Sequence, residues 1–418
     1  MKKIALMFPG QGSQYSGMGK DLCSKSEIAK KTFREADDVL GFGISEMCFN
    51  GDEKELAMTK HAQPAILTAS VAAYRTFADE WGFIPVCSAG HSLGEYSALV
   101  CSGALKFEDA LKIVHKRGLF MQEAADEIGA GTMAAISGLS KTVVESECAK
   151  HSSDREPVVV SNYNSPEQTV ISGTEESVKK AMKSLESMGG IVTLLKVSAP
   201  FHSPLMKTAA ERLREELSKY SFAKTEFDVL SNVTALPHSS LNIPDMLVRQ
   251  VVSPVFWSDS MRYFDRIGVV MALELGPQSV LKKLMKRNIP SMEAFSSDSK
   301  EDSVKLVNFM KQAKFADRIE GATVITRCMA VAVATRNRNW NEDEYKNGVI
   351  EPYRRLQQIQ EELEKNSLEP TVDQMRDSLS LLAGIFDTKK TPVDERKSRF
   401  VQILEETGTV DLFPEYLE

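Results

Sequence analysis

The sequence predicts an α/β fold followed by an all-helical module, and three observations support this prediction. Strand-like and helix-like segments alternate over roughly the first 312 residues. A serine flanked by glycines lies between a predicted strand and a predicted helix. From about residue 313 onward only helical spacing is found. Since 418 residues exceed what one hydrophobic core usually holds, we expect two or three domains.

A large subdomain is assigned to residues 1–127 and 198–312. Apolar residues at helical spacing predict a helix over residues 109–124. Short apolar runs predict strands at residues 4–8, 84–89, 228–231 and 268–275.

A small subdomain is assigned to residues 128–197, which have a strand–helix–strand–strand–helix–strand pattern. Its segments are, in order, residues 131–136, 141–151, 158–160, 168–172, 175–188 and 193–197. This βαββαβ order predicts a ferredoxin-like unit that is inserted into the larger subdomain.

A separate helical C-terminal module is assigned to residues 313–418. Helical apolar spacing occurs at 349–363 and again at 375–385. The 15 basic and 20 acidic residues of the module give it a net charge of −5, out of −7 for the whole chain. The module is therefore predicted to be acidic as well as helical.

Two sequence pairs mark helix starts within this module. Thr371 with Gln374 is typical of a capping box. Thr391 before Pro392 is typical of an N-cap followed by the first helical residue.

Composition and charge exclude several classes of function. A net charge of −7 argues against a nucleic-acid-binding protein, which needs a basic face. No run of about 18 apolar residues is present, so we expect no membrane-spanning segment. The six cysteines have no CxxC spacing and no clustering with histidine, which predicts reduced thiols in a cytoplasmic protein and no metal site.

The sequence GHSLG at residues 90–94 contains the candidate nucleophile, Ser92. It follows the predicted strand 84–89 and precedes a helix-compatible run at 95–100. In a sharp strand-to-helix turn, glycines avoid clashes at the bend and the serine hydroxyl is exposed. The next helix then points its N-terminus at the reacting oxygen, so the Leu93 N–H can stabilise an oxyanion. This context predicts an α/β-hydrolase-like large subdomain, although GxSxG also occurs by chance in tight turns.

A nucleophilic serine needs a general base, and His202 is the first candidate. It follows the predicted strand 193–197, in a loop that contains a proline, which suits a residue of a cleft. His91 is the rival, but adjacent residues in a tight turn point in different directions, so it is poorly placed to take the Ser92 proton. The other histidines are interpreted as surface or structural residues: His61, His115, His151 and His238.

The loop at residues 9–14 (PGQGSQ) follows the first predicted strand. Glycines on both sides of Gln11 permit close backbone approach to a ligand, so the Gln11 N–H is a candidate second oxyanion donor. A phosphate-binding loop is the competing interpretation, but neither GxGxxG nor GK[ST] is present.

Together these residues resemble the malonyl-CoA:acyl carrier protein transacylase family. The motifs that carry the resemblance follow the family's order over about residues 1–290: FPGQGSQ at 8–14, GHSLGEYSAL at 90–99, RGLFMQ at 117–122, SNYNSPEQTVISG at 161–173, SAPFHSPLM at 198–206 and VRQVVSPVFW at 248–257. The resemblance does not cover residues 313–418.

The resemblance implies a catalytic role for five residues. Ser92 and His202 would form a dyad, in which the backbone carbonyl of Gln250 orients the histidine in place of an aspartate. The N–H groups of Gln11 and Leu93 would form the oxyanion hole.

The resemblance also implies how the substrate is held. Arg117 would hold the free carboxylate of a malonyl group, for which a guanidinium is a permanently charged, bidentate partner. Without the resemblance, Arg117 would be interpreted as a surface arginine. Three further residues are expected to line the substrate site: His91, Asn162 and Phe201.

The implied function is a two-step transfer of malonyl in fatty-acid or polyketide synthesis. Malonyl-CoA is the expected donor, and the phosphopantetheine thiol of an acyl carrier protein is the expected acceptor. No metal and no further cofactor are expected. A basic cluster is a candidate contact for an acidic carrier protein, although it is equally typical of a solvated helix face: Lys282, Lys283, Lys286 and Arg287.

Two other functions remain open from the residues alone. A serine thioesterase or another hydrolase would share the serine turn, but it would have an acidic third member and no need of Arg117. A scaffold that binds a partner protein through the helices of 313–418 is the alternative from a different class.

Overall fold

A computed structural model describes residues 3–81, 85–129, 131–195, 197, 199–316, 323–366, 368 and 370–417. The chain divides into two compact units. The first unit contains residues 3–306, and the C-terminal unit begins at Val307. The predicted boundary at 312/313 lies a few residues further along the chain.

The strands of the first unit form two sheets. In chain order the strands are β1 (Lys3–Phe8), β2 (Cys87–Gly90), β3 (Gly131–Ser137), β4 (Val158–Ser165), β5 (Gln168–Thr174), β6 (Ile191–Leu194), β7 (Asp228–Leu230), β8 (Val269–Glu274) and β9 (Glu293–Ser296). Among the described residues, one sheet has the order β7–β2–β1–β8–β9 and the other has the order β4–β5–β3–β6.

The first sheet is parallel, and its central strand is buried. All four neighbouring strand pairs run in the same direction. Residues 4–8 are almost inaccessible, as expected for a parallel strand that is covered on both faces. The predicted strands at 4–8, 228–231 and 268–275 are confirmed to within one residue at each end. The predicted strand at 84–89 starts outside the described residues, and the structure has its strand at Cys87–Gly90.

The register of this sheet brings three loops together at one edge. Phe8 at the end of β1 lies opposite Gly90 at the end of β2, and β7 runs beside β2 in the same direction. Because parallel strands end at the same edge, the loops that follow β1, β2 and β7 are neighbours. Ligands of open α/β sheets bind at this edge, so residues 9–14 and 91–93 are at the place where a site is expected.

Helices precede, separate and follow these strands along the sequence of the first unit. They are α1 (Lys20–Lys25), α2 (Glu27–Leu40), α3 (Ile44–Asn50), α4 (Glu53–Ala57), α5 (Thr59–Trp81), α6 (Gly94–Cys101), α7 (Phe107–Ile128), α8 (Lys141–His151), α9 (Glu175–Ser187), α10 (Lys207–Leu217), α11 (Ile243–Val252), α12 (Trp257–Arg266) and α13 (Val280–Asn288), followed by α14 (Lys300–Ala316) at the boundary. The predicted helix at 109–124 is confirmed within α7, which packs against α5.

The second sheet is antiparallel and follows the predicted strand and helix order. Its core lies between the strands and the two helices α8 and α9: Ala134, Ile136, Val144, Cys148, Val158, Val160, Ile171, Val178, Ala181 and Leu185. The predicted strand at 158–160 continues to Ser165. The predicted strand at 193–197 lies instead at Ile191–Leu194, and Lys196 is outside the described residues. This strand is an exposed edge that pairs only with β3, so it lacks a strong apolar pattern.

The C-terminal unit has its own hydrophobic core. Its further helices are α15 (Val324–Ala334), α16 (Glu342–Tyr345), α17 (Glu351–Asn366), α18 (Val372–Thr388) and α19 (Val393–Thr407). The core includes Cys328, Leu356, Leu379, Leu382, Phe386, Ile403 and Phe413. Every regular element among the described residues of this unit is helical. Across all of the described ranges, no helix combines the length and the apolar character needed to cross a membrane.

The two predicted helix starts have different outcomes. The capping box is confirmed: Thr371 Oγ1 accepts from the Gln374 N–H at 3.3 Å, and Gln374 Oε1 accepts from the Thr371 N–H at 2.9 Å. The other prediction is wrong by one residue, because Pro392 is the cap of α19. Thr391 Oγ1 has no hydrogen-bond partner in the described part of the chain. The Thr391 carbonyl accepts instead from Arg396 Nε at 2.7 Å.

Candidate active site

The serine turn requires glycine at two positions. A Cβ on Gly90 would lie 1.9 Å from the backbone of Gly94, and a Cβ on Gly94 would lie 2.0 Å from the Phe8 carbonyl oxygen. Ser92 lies between them with a φ of 52°, a left-handed conformation that is costly for a residue with a side chain. Its N–H donates to Asn232 Oδ1 at 2.7 Å, which holds the turn between β2 and α6.

His202 lies beside the Ser92 hydroxyl. Its Nε2 is 2.8 Å from Ser92 Oγ, and its Nδ1 is 2.8 Å from the backbone oxygen of Gln250. Because a carbonyl oxygen only accepts, Nδ1 carries the proton, and Nε2 of the neutral ring presents a lone pair to the serine O–H. His202 also has a left-handed φ, of 57°, so the backbone is strained at both residues of the pair.

The electrostatic environment keeps His202 neutral. Burial and, after it, the positive charge of Arg117 lower the pKa of His202 to about 3. The hydrogen bond to the Gln250 carbonyl opposes this effect and raises the pKa. At neutral pH the imidazole is therefore unprotonated at Nε2 and able to accept a proton.

Two backbone N–H groups beside the serine turn are free of acceptors within the described part of the chain. A Cβ on Gly10 would lie 2.3 Å from the His91 carbonyl oxygen, so the loop that contains Gln11 lies directly against the turn. Leu93 is the residue before the first turn of α6. Among the described residues, neither the Gln11 N–H nor the Leu93 N–H donates to another group of the chain. Both are therefore available to an oxygen of a bound ligand.

Arg117 extends from α7 into the same site and is only 2% exposed. Its Nη2 is 3.3 Å from Ser92 Oγ and 2.9 Å from Gln250 Oε1. Its Nη1 is 2.8 Å from Gln63 Oε1, and its Cζ is 5.5 Å from the centre of the Tyr96 ring. The guanidinium is thus directed at the serine by three hydrogen bonds.

The charge of Arg117 is incompletely paired. All three of its hydrogen-bond acceptors are uncharged, and its Nε has no partner in the described part of the chain. Burial lowers the pKa of Arg117 from its ordinary value, and the nearby Tyr96 and Glu95 side chains oppose this effect. A buried cation of this kind is costly unless an anion completes its pairing, so the arrangement suits a ligand with a carboxylate.

The three residues predicted to line the substrate site make different contacts. His91 Nε2 is 2.9 Å from Asn164 Oδ1, and burial lowers the pKa of His91. Asn162 accepts from the Ser161 hydroxyl at 2.8 Å and has no hydrogen bond to the serine–histidine pair among the described residues. Phe201 is buried directly before His202.

Sequence reasoning missed several polar residues of the site. Gln63 holds Arg117, and Asn232 holds the serine turn. Glu95 is fully buried and accepts from His238 Nε2 at 2.6 Å, so His238 is an internal residue of this site. The one available signal was Glu95, a charged residue directly after GHSLG in an apolar run. Asn232 and His238 lie 137 and 143 residues away from Glu95, with no motif around them.

The predicted basic cluster on α13 is partly engaged within the chain. Lys282 Nζ forms an ion pair with Asp302 at 2.7 Å, and Lys286 Nζ donates to the Met292 carbonyl at 2.6 Å. Lys283 and Arg287 are exposed. Within the described ranges, no group of three or more His, Cys, Asp or Glu side chains is placed to hold a metal ion.

Comparisons with known proteins identify relatives of this chain. Residues 6–323 match the family described as acyl transferase domain. A malonyl CoA-acyl carrier protein transacylase from Bacillus subtilis is 37% identical over 407 residues, which cover 95% of this chain and 99% of that protein. A second protein of that name, from Bacillus subtilis strain 168, is 44% identical over 289 residues, which cover 69% of this chain and 90% of that protein.

A solved structure is similar to most of this chain. It is of a type II PKS acyl-carrier protein in complex with its malonyl-transacylase. The matched chain is 39% identical to this one, with a TM-score of 0.70, and the match covers 72% of this chain and 98% of that chain.

Proposed function

The chain belongs to the malonyl-CoA:acyl carrier protein transacylase family, and we propose that it transfers malonyl through an ester on Ser92. It is an acyltransferase that takes malonyl from malonyl-CoA and delivers it to the phosphopantetheine thiol of an acyl carrier protein, in fatty-acid or polyketide synthesis. One observation carries the assignment to this site: a neutral His202 lies 2.8 Å from Ser92 Oγ, beside an incompletely paired Arg117.

In the first half-reaction, Ser92 Oγ attacks the thioester carbonyl while its proton passes to His202 Nε2. The Gln250 carbonyl stabilises the resulting imidazolium through Nδ1–H. The N–H groups of Gln11 and Leu93 stabilise the tetrahedral oxyanion. When the intermediate collapses, the C–S bond breaks, and the leaving sulfur of coenzyme A takes the proton from His202.

The second half-reaction reverses these roles with a new thiol. The phosphopantetheine thiol gives its proton to His202 and attacks the malonyl ester carbonyl. The same two N–H groups hold the oxyanion. Collapse breaks the bond to Ser92 Oγ, which recovers its proton from His202, so the enzyme returns to its starting state.

Arg117 selects the acyl group and influences the pKa of the general base His202. Its guanidinium pairs with the malonyl carboxylate, which completes the pairing that Gln63 and Gln250 leave open. A bound carboxylate also offsets the positive charge that lowers the pKa of His202, so substrate binding raises the basicity of the imidazole. A hydrolase of uncharged esters would have no use for this buried cation. His91, Asn162 and Phe201 are proposed to line the same pocket.

The carrier protein is proposed to meet the exposed side of α13. Lys283 and Arg287 are exposed there, whereas the other two basic residues of the cluster are engaged internally. Exposed positive charge accelerates encounter with an acidic partner. We propose no metal and no cofactor: the coenzyme A thioester is the substrate, the phosphopantetheine thiol belongs to the carrier protein, and side chains and backbone groups supply every step above.

We also propose a finer description of the fold, with two subdomains and a helical module. The order β4–β5–β3–β6 with α8 and α9 supports a ferredoxin-like small subdomain at residues 128–197. The strand–serine–helix turn on a parallel sheet supports an α/β-hydrolase-like large subdomain at 1–127 and 198–312, followed by the helical module at 313–418. A cytoplasmic location is supported by the six free, buried cysteines.

Covalent loading tests the proposed function directly. The wild-type protein mixed with malonyl-CoA should gain one malonyl group by intact-mass analysis. Ser92→Ala should keep the fold and gain none, because it removes the hydroxyl that lies 2.8 Å from His202 Nε2. A malonyl adduct that persists on Ser92→Ala would refute the assignment of the nucleophile.

A further inference from the structure

Beneath the serine turn, Glu95 and His238 form a fully buried pair. Glu95 Oε1 accepts from His238 Nε2 at 2.6 Å, and both side chains are inaccessible to solvent. His238 Nδ1 has no hydrogen-bond partner among the described residues, which suits a lone pair, so Nε2 carries the proton. His238 reaches this position because the chain folds back after β7, where Pro237 forms a bridge with Leu230.

The second oxygen of Glu95 fixes the side-chain amide of Gln250. Oε2 accepts from Gln250 Nε2 at 2.7 Å, and the same nitrogen donates to the Ser92 carbonyl oxygen at 2.9 Å. Both of these oxygens accept, so the nitrogen end of the amide faces them. The oxygen end must then face Arg117, whose Nη2 is 2.9 Å away. Glu95 therefore determines which end of Gln250 the guanidinium meets.

Glu95 also supports the strained serine turn through Asn232. Glu95 Oε2 accepts from the Asn232 backbone N–H at 3.1 Å. The Asn232 side chain accepts from the Ser92 N–H at 2.7 Å and donates to the Gly90 carbonyl at 2.6 Å. Backbone strain of the kind found at Ser92 persists only where surrounding contacts hold it.

We propose that Glu95 and His238 are positioning residues for malonyl transfer. Through Gln250 they orient the Arg117 guanidinium, and through Asn232 they hold the nucleophile in its strained conformation. Neither residue touches the substrate. The inference rests on the proposed malonyl transfer at this site, which wild-type loading tests separately.

A double replacement separates positioning from folding. Glu95→Met together with His238→Leu removes both members of the pair at once, so neither is left as a buried group without the other, although Gln250 Nε2 and the Asn232 N–H lose the acceptor that Glu95 supplied. We expect a protein with a near-normal far-UV circular dichroism spectrum and a lower thermal midpoint. Its kcat/KM for malonyl loading should fall at least about tenfold, with a smaller loss for acetyl-CoA because acetyl has no carboxylate for Arg117 to hold. Normal folding with unchanged malonyl loading would overturn the proposal.

Single variants decide the question even if the double variant does not fold. His238→Gln keeps a donor for Glu95, whereas His238→Leu does not, so His238→Gln should retain much more malonyl loading than His238→Leu. Equal losses in the two variants would overturn the proposal. The matched control is His151→Leu, which removes a histidine paired with Glu147 at 3.4 Å on α8. It should load malonyl like the wild type.

Discussion

The two units each bury a cation, and the cations are held in different ways. In the C-terminal unit, Lys389 is 4% exposed, and its Nζ donates to the carbonyls of Ala332 and Thr335 at 2.6 and 2.9 Å. In the first unit, Arg117 is 2% exposed and is held by side-chain oxygens, one of them the nucleophile. Burial lowers the pKa of both groups.

The contrast between the two cations relates the partners of a buried charge to its role. The partners of Lys389 are the last carbonyls of α15, which need donors in any case, so the lysine serves as a helix cap. The partners of Arg117 leave its Nε unpaired and direct its Nη2 to Ser92. A cation that completes the hydrogen bonding of backbone carbonyls is structural. A buried cation that keeps an unpaired nitrogen beside a nucleophile is available to an anionic ligand.

Two relatives differ in how much of the C-terminal unit they match. The relative from strain 168 matches 69% of this chain and is itself covered to 90%, so little of it remains to match the C-terminal unit. The other Bacillus subtilis relative matches over 407 residues and therefore includes this unit. Proteins of one name thus occur with and without a counterpart of the C-terminal unit.

The largest expected effect concerns the general base in the first unit. His202→Ala should slow both half-reactions by about 10²- to 10⁴-fold, the usual contribution of a general base. Single-turnover loading from malonyl-CoA and unloading to a carrier protein measure the two steps. Near-normal rates would place the base elsewhere, with His91 as the first alternative.

A change in the C-terminal unit should affect stability and leave transfer intact. Lys389→Met leaves the Ala332 and Thr335 carbonyls without their donor, and buried groups left unpaired typically cost about 1–3 kcal/mol. Urea unfolding should show the loss, and malonyl loading at 25 °C should match the wild type. If loading fell and stability did not, the structural interpretation of Lys389 would be wrong.

The smallest expected effect is that of pH on loading. A histidine in an unfolded chain titrates near about 6.5, whereas His202 does so at about 3, so between these values only the unfolded chain binds the proton. The stabilising contribution of neutral His202 is therefore present above about pH 6.5 and is lost as the pH falls towards 3. The kcat/KM for malonyl loading should show no inflection near 6.5 between about pH 5 and pH 8. An inflection there would contradict a neutral, buried imidazole.

Local patterns in the sequence were sufficient for the turn and for the order of elements. The clash that a Cβ would make at Gly90 is with Gly94 in the same turn, so the motif predicted the turn around Ser92, whereas the clash at Gly94 is with Phe8 of β1 and was not predicted. The Thr371 capping box was predictable for the same reason, since both partners lie in one turn. The resemblance to the family, rather than any spacing, supplied Arg117 and Gln250.

Contacts between distant parts of the chain were not predictable. His238 meets Glu95 across 143 residues, and only the folded sheet brings the end of β7 beside the serine turn. The start of α19 was missed by one residue although the contacts there are local: Pro392 is the cap, and Arg396 Nε donates to the carbonyl of Thr391, five residues earlier.

The role of Arg117 is tested most directly by comparing the loading rates of malonyl-CoA and acetyl-CoA on Arg117 variants. Removing one member of a buried charge pair typically costs about 2–5 kcal/mol, so Arg117→Ala should lower malonyl loading at least about tenfold. Acetyl loading should be unchanged or improved, because it leaves no carboxylate to pair. Arg117→Lys should recover only part of the malonyl rate, since an ammonium cannot make two parallel hydrogen bonds. A parallel fall for both substrates would show that Arg117 is a structural cation like Lys389, and would contradict its assignment as the partner of the malonyl carboxylate.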